Sequence, residues 1–229
     1  MTNFFNKKVR CILCGKESEY MAIASTISIG SPDLDTRPPE MKRSTIFAWV
    51  QRCPDCGYCS SDLSVSRPGA DAAVNSPDYK DQLNNPAYPE LANSFLCKAI
   101  VDRESFNLSE ETWDFIHAAW ACDDSQNHRQ ASECRRRAAE TLLMANYCGE
   151  KMADQEGATT ALLVDLLRRS GQFDRAKHII ESRRNLTTED IIRRILDFQY
   201  ALIQRNDTHS HTIEEALIND DIFQDDKLL

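Results

Sequence analysis

Two short, matching cysteine motifs constrain this chain more than any other feature of its 229 residues. The first, Cys-Ile-Leu-Cys-Gly, begins at Cys11, and the second, Cys-Pro-Asp-Cys-Gly, begins at Cys53. Each motif places two thiolates one tight turn apart, and a tetrahedral structural zinc site requires four thiolates. The sequence therefore predicts one zinc ion bound by Cys11, Cys14, Cys53 and Cys56. Because four protein ligands leave no open position, we expect this zinc to stabilise the fold without taking part in a reaction.

The segment around these motifs, residues 1–65, has the pattern of a zinc ribbon. Apolar residues alternate over residues 21–29, which is the period of a half-buried strand, and residues 45–50 are rich in strand-forming residues. A proline-rich loop, residues 31–40, lies between them. This loop accounts for the 38 residues between the inner cysteines, a separation larger than the usual value of about 15–20.

The rest of the chain is predicted to be helical. Residues 66–89 are rich in Pro, Gly, Asp and Asn, which predicts a linker or cover segment with one short helix near Tyr79. Apolar residues then recur every three or four positions, which predicts a helical domain over residues 90–229. The helix-end signals are an N-cap at Ser109, a capping box at Thr212 and Glu215, and stops at Gly149 and Gly171.

One stretch of this helical part resembles a tetratricopeptide repeat. The matching residues are Leu163, Leu167, Gly171, Phe173, Ala176 and Ile180, and the departures from the repeat are Val164 and Arg183. The whole chain resembles an uncharacterised bacterial family, a domain of unknown function, with paired C-x-x-C-G motifs ahead of tetratricopeptide-like helices. This resemblance implies metal binding and a protein-interaction scaffold, and it implies no reaction. The predicted fold class is α+β, mostly α: a zinc ribbon of short antiparallel strands followed by a tetratricopeptide-like helical domain.

The five remaining cysteines have weaker signals. Cys59 extends the second motif to C-x-x-C-x-x-C, which invites an iron–sulfur interpretation, but the further cysteine and proline of a ferredoxin motif are absent. We therefore interpret Cys59 as a buried small residue or a competing ligand. The other four lie singly on predicted helices, where free cysteine is often buried as a small apolar residue; a second metal site is the alternative. These four are Cys97, Cys122, Cys134 and Cys148.

Three histidines are candidate site residues. His117 lies between Trp113 and Trp120 at helical spacing, which favours a core histidine over a catalytic base. His209 and His211 could bind a metal from a loop, but their polar neighbourhood favours an ordinary solvated turn.

Two clusters of charged residues also have both a structural and a functional interpretation. Asp123 and Asp124 could act as paired carboxylates, but they also suit the end of one helix and the cap of the next. A recognition tip beside the ribbon could be formed by Asp33, Asp35 and Arg37, but we expect these residues to lie in a solvated loop. The sequence contains no Gly-rich phosphate loop, G-x-S-x-G elbow or H-E-x-x-H motif, so no motif suggests an enzyme.

Composition and charge restrict the compartment and the partners. The chain has no apolar run long enough to cross a membrane and no secretory signal, so we expect a cytoplasmic protein whose cysteines bind metal rather than form disulfides. The net charge of −9 divides into +1 for residues 1–65 and −10 for the remainder. That balance disfavours nucleic-acid binding, which relies on clustered basic residues. The main basic residues of the ribbon are Lys7, Lys8, Arg10, Arg43 and Arg52.

These observations predict a zinc-binding, non-enzymatic protein-interaction module that binds a protein or peptide through its helices. The first alternative is a nucleic-acid-associated zinc-ribbon factor. The second is an enzyme with a cryptic site between the ribbon and the helices. The sequence leaves open the partner, the oligomeric state, and whether the metal is zinc or iron.

Overall fold

A computed structural model describes residues 1–153, 157–183 and 189–218. Its described part is mostly helical, with two small antiparallel strand pairs near the N-terminus, which confirms the α+β, mostly α fold class. The strands are β1 (Asn3–Arg10), β2 (Glu17–Ser25), β3 (Gln51–Arg52) and β4 (Cys59–Ser60). The helices are a 3-10 helix (Arg43–Ala48), α1 (Ala70–Asn75), α2 (Pro77–Leu83), α3 (Glu90–Glu104), α4 (Leu108–Asp124), α5 (His128–Tyr147), α6 (Ala158–Arg169), α7 (Phe173–Arg183), α8 (Asp190–Gln204) and α9 (Ile213–Ile218).

The chain divides into two compact units. The first unit comprises Met1–Ile29 and Glu40–Glu150, so the strands and helices α1–α5 belong together. The second comprises Gly30–Pro39 and the chain from Lys151 onward, with α6–α9. The sequence-based boundaries after residues 65 and 89 stay a prediction.

In the first unit, β1 and β2 form a hairpin that leads directly into the first cysteine motif. The two strands pair antiparallel from Phe4 opposite Ile23 to Arg10 opposite Glu17. The strand expected over residues 21–29 ends at Ser25, and the apolar side chains beyond it are exposed, Ile27 by 50% and Ile29 by 63%. The expectation of a half-buried strand is therefore wrong for its second half.

The strand predicted over residues 45–50 is also wrong, because this segment forms a 3-10 helix. The Thr45 hydroxyl donates a hydrogen bond to the Lys42 carbonyl at 2.7 Å, and the Trp49 indole donates to the Thr45 hydroxyl at 2.9 Å. These local bonds offer the backbone an alternative to a sheet. Strand propensity depends on context, and here the turn outweighs it.

Helices α3, α4 and α5 pack in sequence and form most of the core of the first unit. Lys98 on α3 is buried and bonds to two buried carboxylates, Asp102 at 2.7 Å and Asp114 at 2.9 Å. Because Asp114 lies on α4, this group ties the two helices together. Burial raises the pKa of Asp114 well above its usual range, although the charge of Lys98 opposes the shift.

The helix ends agree in part with the sequence. Asn107, and not Ser109, caps α4 by accepting a hydrogen bond from the amide of Glu110 at 3.2 Å. The Ser109 hydroxyl instead donates to the Glu150 carboxylate at 2.7 Å. The short helix near Tyr79 is confirmed as α2.

Other predicted helix ends are confirmed. In the second unit, Thr212 and Glu215 form the capping box, since each backbone amide donates to the other's side chain at 3.1 Å. Gly149 and Gly171 follow α5 and α6 with φ of +81° and +75°, the left-handed conformation in which many helices end.

Candidate metal centre

The two cysteine motifs fold into two knuckles with the same hydrogen bonds. We call residues 11–16 the first knuckle and residues 53–58 the second knuckle. The four bonds are Cys11 N–H to Lys16 O (2.8 Å), Gly15 N–H to Cys11 O (2.8 Å), Cys53 N–H to Tyr58 O (2.8 Å) and Gly57 N–H to Cys53 O (3.0 Å). Gly15 and Gly57 both have φ of +76°, a left-handed conformation that disfavours any side chain. The glycine after each cysteine pair thus lets the chain turn back.

The knuckles bring all four cysteine sulfur atoms within 4.8 Å of one another. Cys11 Sγ lies 3.7 Å from Cys56 Sγ, and Cys14 Sγ lies 3.5 Å from Cys53 Sγ. A tetrahedral ion with metal–sulfur bonds of about 2.3 Å spaces its ligands about 3.8 Å apart. The four sulfur atoms therefore fit one tetrahedral metal ion. Among the described residues, this is the single group of three or more His, Cys, Asp or Glu side chains that could hold a metal ion.

The electrostatics of the four thiols favour a cation between them. Burial raises the pKa of Cys56, and its thiol neighbours Cys53, Cys14 and Cys11 raise it further. Burial also opposes ionisation of Cys53, but hydrogen bonds from the backbone amides of Cys56 and Asp55 and from the neighbouring thiols together lower its pKa. Four thiolates in this small volume repel one another, and a divalent ion removes that repulsion.

The second knuckle is anchored by a buried tyrosine that sequence reasoning did not single out. Tyr79 on α2 donates its hydroxyl hydrogen to the Gly57 carbonyl at 3.0 Å and accepts a hydrogen bond from the Cys59 amide at 2.9 Å. Burial raises the pKa of Tyr79, so its phenol stays protonated and able to donate. The side chain of Leu83 lies where a Cβ on Gly57 would be, 2.5 Å from that position. Helix α2 therefore holds the second knuckle from one side.

Arg52 also serves the second knuckle. Its guanidinium donates to the carbonyl of Leu83 at 3.0 Å and to the side chain of Asn84 at 2.8 Å, at the C-terminal end of α2. Basic side chains often bind the last carbonyls of a helix in this way. Arg52, which the sequence offered for a nucleic-acid surface, is thus held against this helix.

The first knuckle has fewer supports outside its own turn. The Ile12 amide donates to the Leu63 carbonyl at 2.9 Å, and Tyr20 on β2 donates its hydroxyl to the Arg52 carbonyl at 3.0 Å. Cys11 is buried, but Cys14 and Gly15 are exposed. A Cβ on Gly15 would meet no atom within 4 Å. The tip of the first knuckle therefore lies in solvent.

Of the five other cysteines, four are buried as the sequence predicts, and Cys148 is exposed, which contradicts the prediction for it. Cys59 donates a weak hydrogen bond to the Gly57 carbonyl at 3.3 Å and is not part of the four-sulfur group. Cys97 donates to the Tyr79 carbonyl at 3.8 Å.

His117 and His209 lie where the sequence predicts, whereas His211 is half-buried and does not lie in a solvated turn. His117 is half-buried and touches four aromatic rings, with centroid distances from 5.0 to 6.1 Å; these rings are Trp49, Phe95, Trp113 and Trp120. His209 is exposed and lies 3.1 Å from Asp207. His211 lies 2.8 Å from Glu215 and 3.2 Å from Asp207.

The interpretation of Asp33, Asp35 and Arg37 as a solvated loop is wrong, because all three are buried. Within the second unit, Asp35 accepts a hydrogen bond from Arg169 on α6 at 2.7 Å, and Asp33 accepts one from the Ser210 hydroxyl at 2.9 Å. These residues pack the proline-rich loop onto the helical unit.

The pair Asp123 and Asp124 ends α4, as the sequence predicts. Asp123 forms an ion pair with Arg135 on α5. The cap of α5 is Asn127, which accepts a hydrogen bond from the Gln130 amide at 3.4 Å, so the predicted capping role of the aspartates is wrong.

Comparison with known proteins finds no family model, no curated protein and no solved structure that matches this chain. The resemblance to an uncharacterised bacterial family is thus supported by the four-cysteine group alone. Over the described residues, none of the helices combines the length and the apolar character that crossing a membrane requires.

Proposed function

We propose that Cys11, Cys14, Cys53 and Cys56 bind one structural zinc ion. The observation that carries this proposal is the spacing of their sulfur atoms, which lie within 4.8 Å of one another. Thiolates are soft ligands that favour zinc, and four of them complete its tetrahedral shell. When bound, zinc supplies charge neutralisation and a cross-link between the two knuckles.

The protein part of the site keeps the cysteines in place and leaves no ligand position for a substrate. Backbone hydrogen bonds shape the two tight turns that carry the cysteines, and Tyr79 fixes the second knuckle through two hydrogen bonds. The burial of Cys11 and Cys53, each 1% exposed, limits access to two of the four sulfur atoms. A closed site of this kind stabilises a fold.

We further infer that the chain is a non-enzymatic interaction module. The absence of catalytic motifs from the sequence and the saturated ligand set support this role. The helices supply the second support, since packed helix pairs such as α6 and α7 can offer extended binding surfaces.

Elemental analysis of protein purified without added metal tests the zinc proposal. We expect about one zinc per chain in the wild type and in Cys148→Ser, whose exposed thiol lies outside the group. Cys53→Ser should lose the metal because it removes one of the four ligands. Iron with visible absorbance, or equal zinc content in both variants, would overturn the assignment.

A further inference from the structure

The outer edge of β1 is an open strand edge in the first unit. Within the described residues, β1 pairs only with β2, and no other segment forms a backbone hydrogen bond to residues 3–10. Side chains along the strand are exposed except that of Val9. An unpaired edge of eight residues is long enough to accept another strand.

The register shows which backbone groups point outward from this edge. Cys11 donates its amide to Lys16 across the hairpin, and hydrogen-bonded pairs alternate along antiparallel strands. Phe5, Lys7 and Val9 therefore bond toward β2. The residues that direct their N–H and C=O groups to the outer edge are Phe4, Asn6, Lys8 and Arg10.

The corresponding position in the second knuckle is occupied. There Arg52 on β3 corresponds to Arg10 on β1, and its outward carbonyl accepts a hydrogen bond from the Tyr20 hydroxyl at 3.0 Å. The first hairpin has no such partner among the residues that the structure describes. The difference identifies the edge of β1 as the unfilled member of a matched pair.

The charge of β1 selects the kind of partner. The strand carries Lys7, Lys8 and Arg10 and no carboxylate. Lys7 bonds to Asp62 at 3.0 Å, whereas Lys8 and Arg10 are exposed and form no ion pair within the described part of the chain. Phe4 and Phe5, exposed by 41% and 49%, add apolar surface near the start of the strand.

We propose that the edge of β1 binds an extended acidic segment of a partner protein as an added strand. Outward backbone groups of β1 would bond to the partner's backbone, and its carboxylates would lie beside Lys8 and Arg10. Lysine on an edge discourages unwanted pairing, but it complements an acidic strand. This inference rests on the proposed function, because the zinc site holds the end of β1 at Cys11.

A second copy of the chain fits this edge less well. Pairing β1 with itself would bring six basic side chains, and no carboxylate, into the two central strands of the joint sheet. Like charges on adjacent strands are destabilising. The basic edge therefore favours an acidic partner over self-association.

Fluorescence anisotropy with a labelled ten-residue peptide of alternating Glu and Val tests the proposal on the full zinc-loaded chain. We expect saturable binding, with much weaker binding of the matching Lys and Val peptide. Asn6→Pro should weaken binding about tenfold, because it removes an outward donor without breaking the β1–β2 ladder. Asn6→Ala keeps the amide and should bind within about twofold of the wild type. Equal binding by these two variants would overturn the added-strand geometry.

Charge reversal provides an independent control. Lys8→Glu should weaken binding of the acidic peptide about tenfold, while Lys80→Glu, at an exposed position on α2, should have little effect. Binding of a ten-nucleotide thymidine oligomer in place of the peptide, insensitive to Asn6→Pro, would overturn the proposal in favour of nucleic acid. Self-association abolished by Asn6→Pro would overturn it in favour of a second copy.

Metal content measured on the same sample separates the two proposals. A chain with one zinc and no peptide binding would overturn the docking proposal and leave the metal site standing. A chain without metal would overturn the proposed function, whatever its peptide binding.

Discussion

The two knuckles share their internal geometry but differ in what surrounds them. Each has the same pair of backbone hydrogen bonds and the same left-handed glycine. The second knuckle is held by Tyr79 and Leu83 from α2, whereas the first ends an exposed hairpin and has an exposed tip. Identical local motifs can therefore depend on a shared metal to different degrees.

This difference indicates how zinc would stabilise the first unit. The second knuckle has protein contacts that persist without metal, namely the two bonds of Tyr79 and those of Arg52. The first knuckle is linked to the rest of the unit by the Ile12 amide, and its hairpin is linked by Tyr20 and Lys7. We therefore expect the metal to matter most for β1 and β2.

Metal removal should produce the largest effect. A structural zinc contributes about 10–16 kcal/mol of apparent binding free energy in small zinc domains. After chelation we expect the amides of β1 and β2 to lose protection from hydrogen exchange, while those of α3 stay protected. Equal loss of protection in β1 and α3 would show that the two regions depend on the metal alike.

A change of pH should shift the stabilities of the knuckles and the helices in opposite directions. Burial raises the pKa of Glu111 on α4 to about 7, although Arg103 and Arg137 oppose the shift. The folded pKa of Glu111 lies above its unfolded pKa of 4.5. Its ionisation therefore lowers the free energy of unfolding progressively as the pH rises from 4.5 to about 7. The thiolates of the metal site instead need a pH high enough to stay deprotonated.

We therefore expect Glu111→Gln to raise the free energy of unfolding by about 3 kcal/mol at pH 8. At pH 4 the difference from the wild type should be small, because Glu111 is then mostly protonated in both the folded and the unfolded chain. Urea unfolding at both pH values measures this. Glu104→Gln, at an exposed position on α3, is the matched control. A gain at pH 4 equal to that at pH 8 would contradict ionisation of buried Glu111 as the cause.

Loss of the Tyr79 hydroxyl should have an intermediate effect. Tyr79→Phe leaves the buried Cys59 amide without its acceptor and leaves the Gly57 carbonyl only the weak hydrogen bond from the Cys59 thiol. We expect a loss of about 2 kcal/mol in the free energy of unfolding, with zinc still bound. Tyr147→Phe, at a residue that is 91% exposed, is the control and should be nearly neutral. Equal stabilities of the two variants would contradict the conclusion that the Tyr79 hydroxyl anchors the second knuckle.

The smallest expected effect is the difference in free energy of unfolding between alanine variants of the two knuckle glycines. Gly15→Ala incurs only the strain of a left-handed conformation, about 1 kcal/mol. Gly57→Ala adds a contact with Leu83, and we expect it to be about 1 kcal/mol more destabilising. Thermal unfolding of the zinc-loaded variants measures the difference. A larger loss for Gly15→Ala would reverse the comparison between the knuckles.

The features that the sequence predicted well depend on neighbouring residues. The knuckles need cysteine and glycine at fixed short spacing, and the capping box needs only Thr212 and Glu215. The fold class followed from the helical periodicity beyond residue 90. Such signals are visible in a short window of sequence because the interactions that produce them are local.

Two of the features that were missed depend on distant partners, and a third depends on local side-chain bonds. Asp35 is buried because Arg169, 134 positions away, forms an ion pair with it. Tyr79 anchors Cys59 from 20 positions away, and no motif marks that contact. Residues 45–50 have the composition of a strand, yet Thr45 and Trp49 stabilise a turn. Tertiary context decided the first two cases, whereas local side-chain hydrogen bonds decided the third.

X-ray absorption at the zinc edge of the purified protein tests the central claim most directly. The four-cysteine site predicts a single shell of four sulfur neighbours at about 2.3 Å from zinc. Nitrogen or oxygen neighbours at about 2.0 Å, or fewer than four sulfurs, would contradict a closed site formed by the two knuckles.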